Sequence, residues 1–180
     1  HTEIPFASYQ TINRLSDKWQ LMAIAESLGI PIPKTIHVAN PQNLPVDPEK
    51  LNYPIVLKPY RSRIQLDDES WLSTNVDYAY SASELSDFLD NHPVFSRHEF
   101  LLQEYIDGPG KGVFLCYRQG KCIARFAHRR LREKPPSGGV SVLSESMEAD
   151  PQLIEFGQRL LDANHWEGVA MVEFKESSSG

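Results

Sequence analysis

A short apolar strand that ends in a lysine is the feature that most constrains the fold. Residues 53–59 read Tyr-Pro-Ile-Val-Leu-Lys-Pro. A continuous apolar run of this length, ended by a proline, predicts a strand over 55–58 that is covered on both faces. A lysine at the end of such a strand is costly to bury unless a fixed anion binds it. Lys58 therefore indicates an anion site, and the alternative is a lysine that reaches past the strand end to solvent.

Composition restricts the classes of partner. The chain has 180 residues, of which 41% are hydrophobic, and this length suffices for one domain or for two small lobes that share a cleft. Its formal net charge of -6 argues against general binding to nucleic acid or to a membrane surface. No apolar stretch approaches the ~20 residues that span a bilayer. We therefore predict neither a nucleic-acid nor a membrane partner. The two cysteines, Cys116 and Cys122, predict reduced thiols in a cytoplasmic protein, and the alternative is a disulfide between them.

The hydrophobic pattern predicts an α+β fold. Helical periodicity and capping residues predict helices over 17–28, 84–91 and 151–164. Short apolar or alternating runs predict strands over 34–38, 55–58, 77–80, 100–106, 112–118, 121–130, 141–147 and 168–175. Residues 41–51 are predicted to form a proline-rich loop or a short helix, and 61–75 a long exposed loop.

Two further segments complete a possible nucleotide site. Lys18 opens a predicted helix, so it offers a second amine, although a solvated lysine in a first helical turn is the alternative. Residues 103–106 end an apolar strand just before a glycine-rich turn. The last N–H and C=O groups of such a strand have no ladder partner and can pair with adenine. Phosphates need cations held in a cleft, which Lys18 and Lys58 can supply.

A basic segment over 125–133 is a second candidate for chemistry. In a regular strand His128, Arg130 and Arg132 share one face. A planar guanidinium binds carboxylate or phosphate with two hydrogen bonds, so we assign these three residues as candidate catalytic groups. The flexible sequence over 135–139 could close over a ligand. The alternatives are a solvated strand edge, whose charges block edge pairing, and an ordinary turn.

Glu173 is the candidate metal ligand. It alternates with apolar residues on the predicted strand 168–175, and carboxylate oxygen is the ligand that Mg²⁺ prefers. The alternative is an ordinary strand residue that faces solvent.

Taken in order, these segments resemble the ATP-grasp superfamily. The resemblance is to the ATP-binding domain of the carbamoyl-phosphate synthase large subunit and to related carboxylate–amine ligases. It extends from about residue 14 to the end of the chain and rests on Ser16–Lys18, Gly29–Thr35, Tyr53–Pro59, Leu102–Ile106, Arg129–Glu133 with Gly138–Gly139, and Gly168–Glu173.

The resemblance implies two α+β lobes that hold ATP. A leading segment (1–13) would precede the first lobe (14–105), and the second lobe (106–180) would be truncated before its last metal-binding strand. Lys18 and Lys58 would contact phosphates, and Glu173 would hold magnesium. The remaining nucleotide contacts would come from Gln103, Glu104, Ile106 and Lys111.

The resemblance also implies a reaction. ATP would phosphorylate a carboxylate, and an amine or another nucleophile, such as a thiol, would displace phosphate from the acyl phosphate. The substrate is not specified by these residues. Flanking domains of a longer protein would be partners, and the chain alone would be inactive.

The chain departs from the family pattern at several positions. Many members have a glycine-rich phosphate loop after the strand that ends in lysine, but residues 59–72 contain no glycine and offer Arg61, Ser62 and Arg63 instead. Side chains could bind phosphate there, or the loop could be remodelled. An acidic residue for the ribose is usual past the hinge, where this chain has Lys111, and Asp107 is the nearest acid.

These departures leave two alternatives open. The first is a degenerate ATP-grasp module that binds nucleotide for regulation or partner binding without catalysis. The second is an unrelated α+β domain with no nucleotide, which predicts that Lys58 and Gln103 lie far apart.

Overall fold

The computed structural model describes residues 5–134 and 140–177. The chain divides into two compact units, Arg14–Tyr105 and His1–Asn13 with Ile106–Gly180. The strands of the described residues are β1 (Thr35–Val38), β2 (Ile55–Pro59), β3 (Arg63–Gln65), β4 (Trp71–Ser73), β5 (Asp77–Ala79), β6 (Phe100–Glu104), β7 (Gly110–Arg118), β8 (Lys121–Lys134), β9 (Val140–Met147) and β10 (Gly168–Lys175). The helices are α1 (Tyr9–Leu15), α2 (Lys18–Ser27), α3 (Ala82–Asn91) and α4 (Pro151–Asp162). This antiparallel arrangement confirms the predicted α+β class.

The first unit, 14–105, is built on a four-stranded antiparallel sheet in the order β1-β6-β2-β5. β2 lies inside this sheet, and Ile55, Val56 and Leu57 are all buried, so the continuous apolar run is covered on both faces, as predicted. β6 runs between β1 and β2, and its residues Phe100, Leu101 and Leu102 are fully buried. The core therefore contains the two strands that carry Lys58 and Gln103.

Capping residues fix the ends of the helices in this unit. Asp17 caps α2 by accepting a hydrogen bond from the N–H of Gln20 at 3.0 Å. The predicted start of α3 at Glu84 is wrong, because Ser81 is the cap and accepts from the N–H of Glu84 at 3.2 Å. The carboxylate of Glu84 accepts in return from the N–H of Tyr80 at 2.8 Å. Such a reciprocal pair stabilises a helix start two residues earlier than the apolar periodicity indicates.

The prediction of a loop without regular structure over 61–75 is wrong. Strands β3 and β4 pair as a hairpin, in which Ile64 faces Leu72. Ile64 is buried, and Leu72 packs against the same core. The burial of this cross-strand pair is the physical reason that the polar segment is ordered.

The second unit contains a four-stranded antiparallel sheet in the order β10-β7-β8-β9. β7 and β8 join through Gln119 and Gly120, whose φ angles of 52° and 71° match a two-residue hairpin turn. The buried side chains Val113 and Leu115 pack with Ile154 and Leu161 of α4. The predicted hairpin is confirmed, and its strands are longer than the sequence pattern indicates.

Helix α1 was not predicted, and Ser8 accepts a hydrogen bond from the N–H of Thr11 at 3.1 Å at its start. The segment 135–139, predicted to close over a ligand, lies outside the described residues. Within the described ranges, none of the helices is long and apolar enough to cross a membrane.

Candidate functional site

Lys58 and Gln103 lie in contact inside the first unit. Lys58 is near the end of β2, and Gln103 is diagonally placed on the neighbouring strand β6, where it faces Val56. The Nζ of Lys58 donates to the Oε1 of Gln103 at 2.5 Å. The alternative of an unrelated α+β domain that binds no nucleotide predicted that these two residues lie far apart. That prediction is wrong.

The amide of Gln103 links three strands. Its Oε1 accepts from Lys58 on β2, and its Nε2 donates to the Oγ1 of Thr35 on β1 at 2.9 Å. Only 4% of Gln103 is exposed, and a buried amide is stable where such partners satisfy it. In this structure the Gln103 side chain positions the Lys58 amine. Its predicted contact with adenine stays a prediction.

Lys18 lies beside the chain that follows β2. Its N–H donates to the carbonyl of Tyr60 at 2.8 Å, and its Nζ donates to the Oγ of Ser62 at 3.3 Å. Burial, and then the positive charge of Lys58, lower the pKa of Lys18 to about 8. The charges of these two amines, which come from separate parts of the sequence, therefore interact in the folded chain.

Arg61 brings a third positive charge to the same place. It also lowers the pKa of Lys18, whereas Asp17 raises it. The Nη2 of Arg61 lies 3.7 Å from the Oδ2 of Asp17. Lys18, Lys58 and Arg61 are called the cation cluster below. Sequence reasoning placed Arg61 in an exposed loop, whereas hydrogen bonds from Thr74 and from Lys18 fix the backbone of residues 60–62 beside the start of α2.

The predicted adenine segment begins at the end of β6. Glu104 is the last residue of this strand, and its N–H donates to the carbonyl of Lys34 at 2.9 Å. Its Oε1 accepts from the N–H of Lys34 at 2.8 Å. The predicted strand over 100–106 is two residues too long, and Ile106 belongs to the other unit. The N–H and the carboxylate of Glu104 are thus both bonded to Lys34, the residue before β1, so the expectation that the last N–H of the strand has no partner is wrong at Glu104. Its contact with adenine stays a prediction.

The second unit brings Arg130 and Glu173 together. Arg130 on β8 pairs with Glu173 on β10 and with Glu133, the latter at 3.1 Å. Lys175 extends the chain of charges, because its Nζ lies 3.6 Å from the Oε2 of Glu133 and donates to the carbonyl of Gly108 at 3.1 Å. A candidate catalytic residue and the candidate metal ligand therefore neutralise each other within one charged network.

The expectation that His128, Arg130 and Arg132 share one strand face is wrong at Arg132. The pairing of β8 with β9 shifts register on both sides of this residue. Such irregularities break the alternation of side chains. The contact between Arg130 and Glu133, three residues apart, is incompatible with regular alternation and follows from this shift. Whether any of these residues is catalytic stays a prediction.

Lys111 pairs with a carboxylate of its own unit. Its Nζ lies 2.5 Å from the Oε1 of Glu176. The role of Lys111 in nucleotide binding stays a prediction. In that role its amine would contact both Glu176 and the nucleotide.

His128 faces a glycine across the β7–β8 pair. Its partner in the register is Gly112, and its ring meets the ring of Phe114 edge to face at a centroid distance of 5.3 Å. Its Nε2 is buried and has no hydrogen-bond partner in the part of the chain that the structure describes. The ring occupies the space that a side chain at Gly112 would need.

Replacing Gly112 with alanine should therefore destabilise the second unit. The added methyl carbon would lie 2.5 Å from the Nε2 of His128 and 3.2 Å from the Sδ of Met171, and such overpacking costs about 1–3 kcal/mol. A double-mutant cycle of Gly112→Ala with His128→Ala, measured by urea denaturation, should recover most of this loss. An equal cost of Gly112→Ala in both backgrounds would contradict the contact.

The described residues give only partial support for a magnesium site. Within 5–134 and 140–177, no group of three or more His, Cys, Asp or Glu side chains could hold a metal ion. Glu173 is exposed and paired with Arg130. Mg²⁺ commonly takes one or two carboxylates and completes its shell with phosphate oxygens and water. Glu173 fits as one such ligand, provided that Arg130 exchanges it for another anion.

Comparisons with known proteins gave matches among solved structures only. No family model matches the chain, and no curated protein sequence matches it significantly. Solved structures do match. D-alanine–D-alanine ligase from Bacillus anthracis, complexed with ATP, is 21% identical with a TM-score of 0.69, over 98% of this chain and 55% of that one.

Two further structures agree. The ADP complex of N5-carboxyaminoimidazole ribonucleotide synthetase is 16% identical with a TM-score of 0.70, over 95% of this chain and 44% of that one. A RiPP-associated ATP-grasp ligase from Chryseobacterium gregarium, in complex with ADP and with leader and core peptide, is 16% identical with a TM-score of 0.68, over 97% of this chain and 52% of that one. This chain thus spans about half the length of these proteins, and it has the ATP-grasp fold, as the order of its sequence motifs predicts.

Proposed function

We propose that this chain is the ATP-binding part of an ATP-dependent carboxylate–amine or carboxylate–thiol ligase. The observation that carries the proposal is that Lys18 and Lys58, which are distant in sequence, lie close enough for their charges to interact, with the Lys18 amine bonded to Ser62 just past the strand that ends at Lys58 and Pro59. Cations that repel one another and are partly removed from water need compensating negative charge. Asp17 supplies one such charge, and a bound phosphate would supply more. Because the chain has the ATP-grasp fold, this anion would be the phosphate chain of ATP.

The proposed reaction needs charge neutralisation more than covalent help. ATP would transfer its terminal phosphoryl group to a substrate carboxylate, and an amine or thiol would then displace phosphate from the acyl phosphate. Lys18 and Lys58 would bind the phosphates, and Gln103 would hold the Lys58 amine in place. Arg130 would bind the carboxylate or the acyl phosphate, because a guanidinium fork matches both groups. His128 and Arg132 stay candidate catalytic residues, although the register shift at Arg132 separates it from the face of the other two.

Magnesium is proposed as the companion of ATP. Glu173 would hold it, and the ion would supply further neutralisation of phosphate charge. In this proposal Arg130, which pairs with Glu173, exchanges that carboxylate for the substrate anion when the substrate binds. A carbamoyl-phosphate synthase-like reaction, a cytoplasmic location and flanking domains as partners remain part of the same proposal.

A non-catalytic nucleotide-binding module is the second candidate. The observation that favours it is the Arg130–Glu173 pair, which occupies both the candidate catalytic cation and the candidate metal ligand. Such a module would bind ATP through the cation cluster without activating a carboxylate.

Nucleotide titration and turnover separate these functions. We expect calorimetric titration of the chain with ATP to show saturable binding that MgCl₂ strengthens. The full-length protein should then release phosphate only when both a carboxylate and an amine or thiol are present. Binding without turnover across carboxylate and nucleophile panels would favour the non-catalytic module. Absence of ATP binding would contradict both functions.

The affinity for ATP should fall as the pH rises from 7 to 9. The free Lys18 amine loses its proton near pH 8, because burial, Lys58 and Arg61 outweigh Asp17, and a neutral amine no longer attracts phosphate. One unit above the pKa, about 90% of the amines are neutral, so the affinity should drop about tenfold. The variant Lys18→Arg, which stays charged, should show a flat profile over this range, and a tenfold drop in it as well would contradict the assignment.

The lowered pKa of Lys18 affects folding stability in the opposite direction from ATP affinity. The unfolded chain keeps the Lys18 proton up to the ordinary value of 10.5, whereas the folded chain loses it near 8. The unfolded state therefore binds more protons between these values, and this residue's contribution to stability rises with pH across that window.

A further inference from the structure

We propose that Arg61, with Ser62, is a phosphate-binding element of this same site, supplying through side chains what a glycine-rich loop supplies through backbone. This inference rests on the proposed ATP binding and adds a residue that determines recognition of the triphosphate. Residues 59–72 contain no glycine, so close approach of backbone to a ligand is not favoured there. Arg61 and Ser62 stand at the start of this segment, immediately before the β3–β4 hairpin.

The backbone at Arg61 and Ser62 is fixed from two sides. The Oγ1 of Thr74 donates to the carbonyl of Arg61 at 2.7 Å, and the N–H of Thr74 donates to the carbonyl of Ser62 at 3.0 Å. On the other side, the N–H of Lys18 donates to the carbonyl of Tyr60 at 2.8 Å. Residues 60–62 are thus anchored to both the hairpin and the first residue of α2, which is the preorganisation that a binding element needs.

The side chains at this position are oriented towards Lys18 and the start of α2. The hydroxyl of Ser62 accepts from the Nζ of Lys18 at 3.3 Å. The guanidinium of Arg61 lies over the ring of Tyr60, 5.7 Å from its centroid, and a ring face of this kind holds the plane of the guanidinium. Only 21% of the Arg61 side chain is exposed. A planar fork held near Lys18 matches the oxygens of a phosphate chain.

The carboxylate now opposite Arg61 is a weak competitor for a phosphate. Asp17 lies 3.7 Å from the guanidinium, beyond the 2.7–2.9 Å of a close charge-assisted hydrogen bond. Both oxygens of Asp17 already accept from Gln20, one from its N–H at 3.0 Å and one from its Nε2 at 3.1 Å. The cap of α2 can therefore keep Asp17 when Arg61 turns to a phosphate.

The test compares ATP with adenosine at pH 6.5, where Lys18 is protonated, by calorimetric titration of the full chain. Arg61→Ala should weaken ATP binding about 10- to 100-fold, the range for one lost charge-assisted pair, and leave adenosine binding unchanged. Arg61→Lys keeps the charge without the fork and should recover part of the loss. The matched control is Arg97→Ala, which removes an exposed arginine of the same unit and should stay within about twofold of wild type.

A purely structural role for Arg61 is tested by Asp17→Asn, which keeps the helix cap but removes the charge partner. If Arg61 binds phosphate, this variant should bind ATP at least as tightly as wild type. Weakening equal to that of Arg61→Ala would assign Arg61 to the folding of α2 and overturn the inference. If Arg61→Ala binds ATP with wild-type affinity while Lys58→Ala loses binding, the inference about Arg61 is overturned and the proposed function stands. Failure of the wild-type chain to bind ATP would overturn the proposed function with it.

Discussion

Replacement of Lys58 by alanine is expected to lower the affinity for ATP by about 100-fold. A hydrogen bond to a charged group contributes about 1.5–3 kcal/mol, which corresponds to a factor of roughly 10 to 150. We expect the upper part of this range because the Lys58 amine is half-buried and is held by the buried amide of Gln103. Calorimetric titration with ATP measures the change directly.

The control for Lys58 is another lysine of the same unit. Lys50→Ala removes an equal charge from an exposed side chain, paired only loosely with Asp47 at 3.8 Å, and should leave the affinity within about twofold. Thermal melting must accompany the titration, since loss of Lys58 leaves the Oε1 of Gln103 without its donor. A folded Lys58→Ala variant with wild-type affinity for ATP would exclude Lys58 from the phosphate site.

Replacement of Phe100 by alanine is expected to give the largest loss of stability. Phe100 is fully buried on β6 and meets the ring of Phe95 at a centroid distance of 5.3 Å. Truncation of a buried phenylalanine removes its transfer free energy and leaves a cavity, at a cost of about 3–5 kcal/mol. The free energy of unfolding from urea denaturation should fall by this amount, and hydrogen exchange should accelerate in peptides from residues 14–105.

Phe126→Ala is the matched control for the same truncation. This ring is 50% exposed and contacts Phe114 at a centroid distance of 5.7 Å, so its loss should cost less than about 1.5 kcal/mol. Equal costs for the two substitutions would contradict the assignment of the core of the first unit to the sheet that carries Lys58 and Gln103.

Local sequence signals were sufficient for the elements that position Lys18 and Lys58. The apolar run before Lys58 specified a strand buried on both faces, and helical periodicity predicted α2 to within one residue at each end. They were insufficient for the β3–β4 hairpin, because two three-residue strands with one buried side chain, Ile64, give no measurable alternation. The position of Arg61 depends on that hairpin, so it too was invisible to periodicity.

Contacts between distant strands explain the other differences. Gln103 finds its partners on β1 and β2, and Arg130 finds Glu173 on β10. Such pairs depend on strand order and register, which the pattern of one strand does not encode. The register shifts around Arg132 are a further example, since a bulge changes which side chains share a face without any local glycine or proline to mark it.

A crystal structure of the chain with a non-hydrolysable ATP analogue tests the phosphate-binding role of the cation cluster most directly. We expect phosphate oxygens within about 3 Å of the Nζ atoms of both Lys18 and Lys58. A nucleotide bound elsewhere on the molecule, with both amines directed to protein or solvent instead of phosphate, would contradict it.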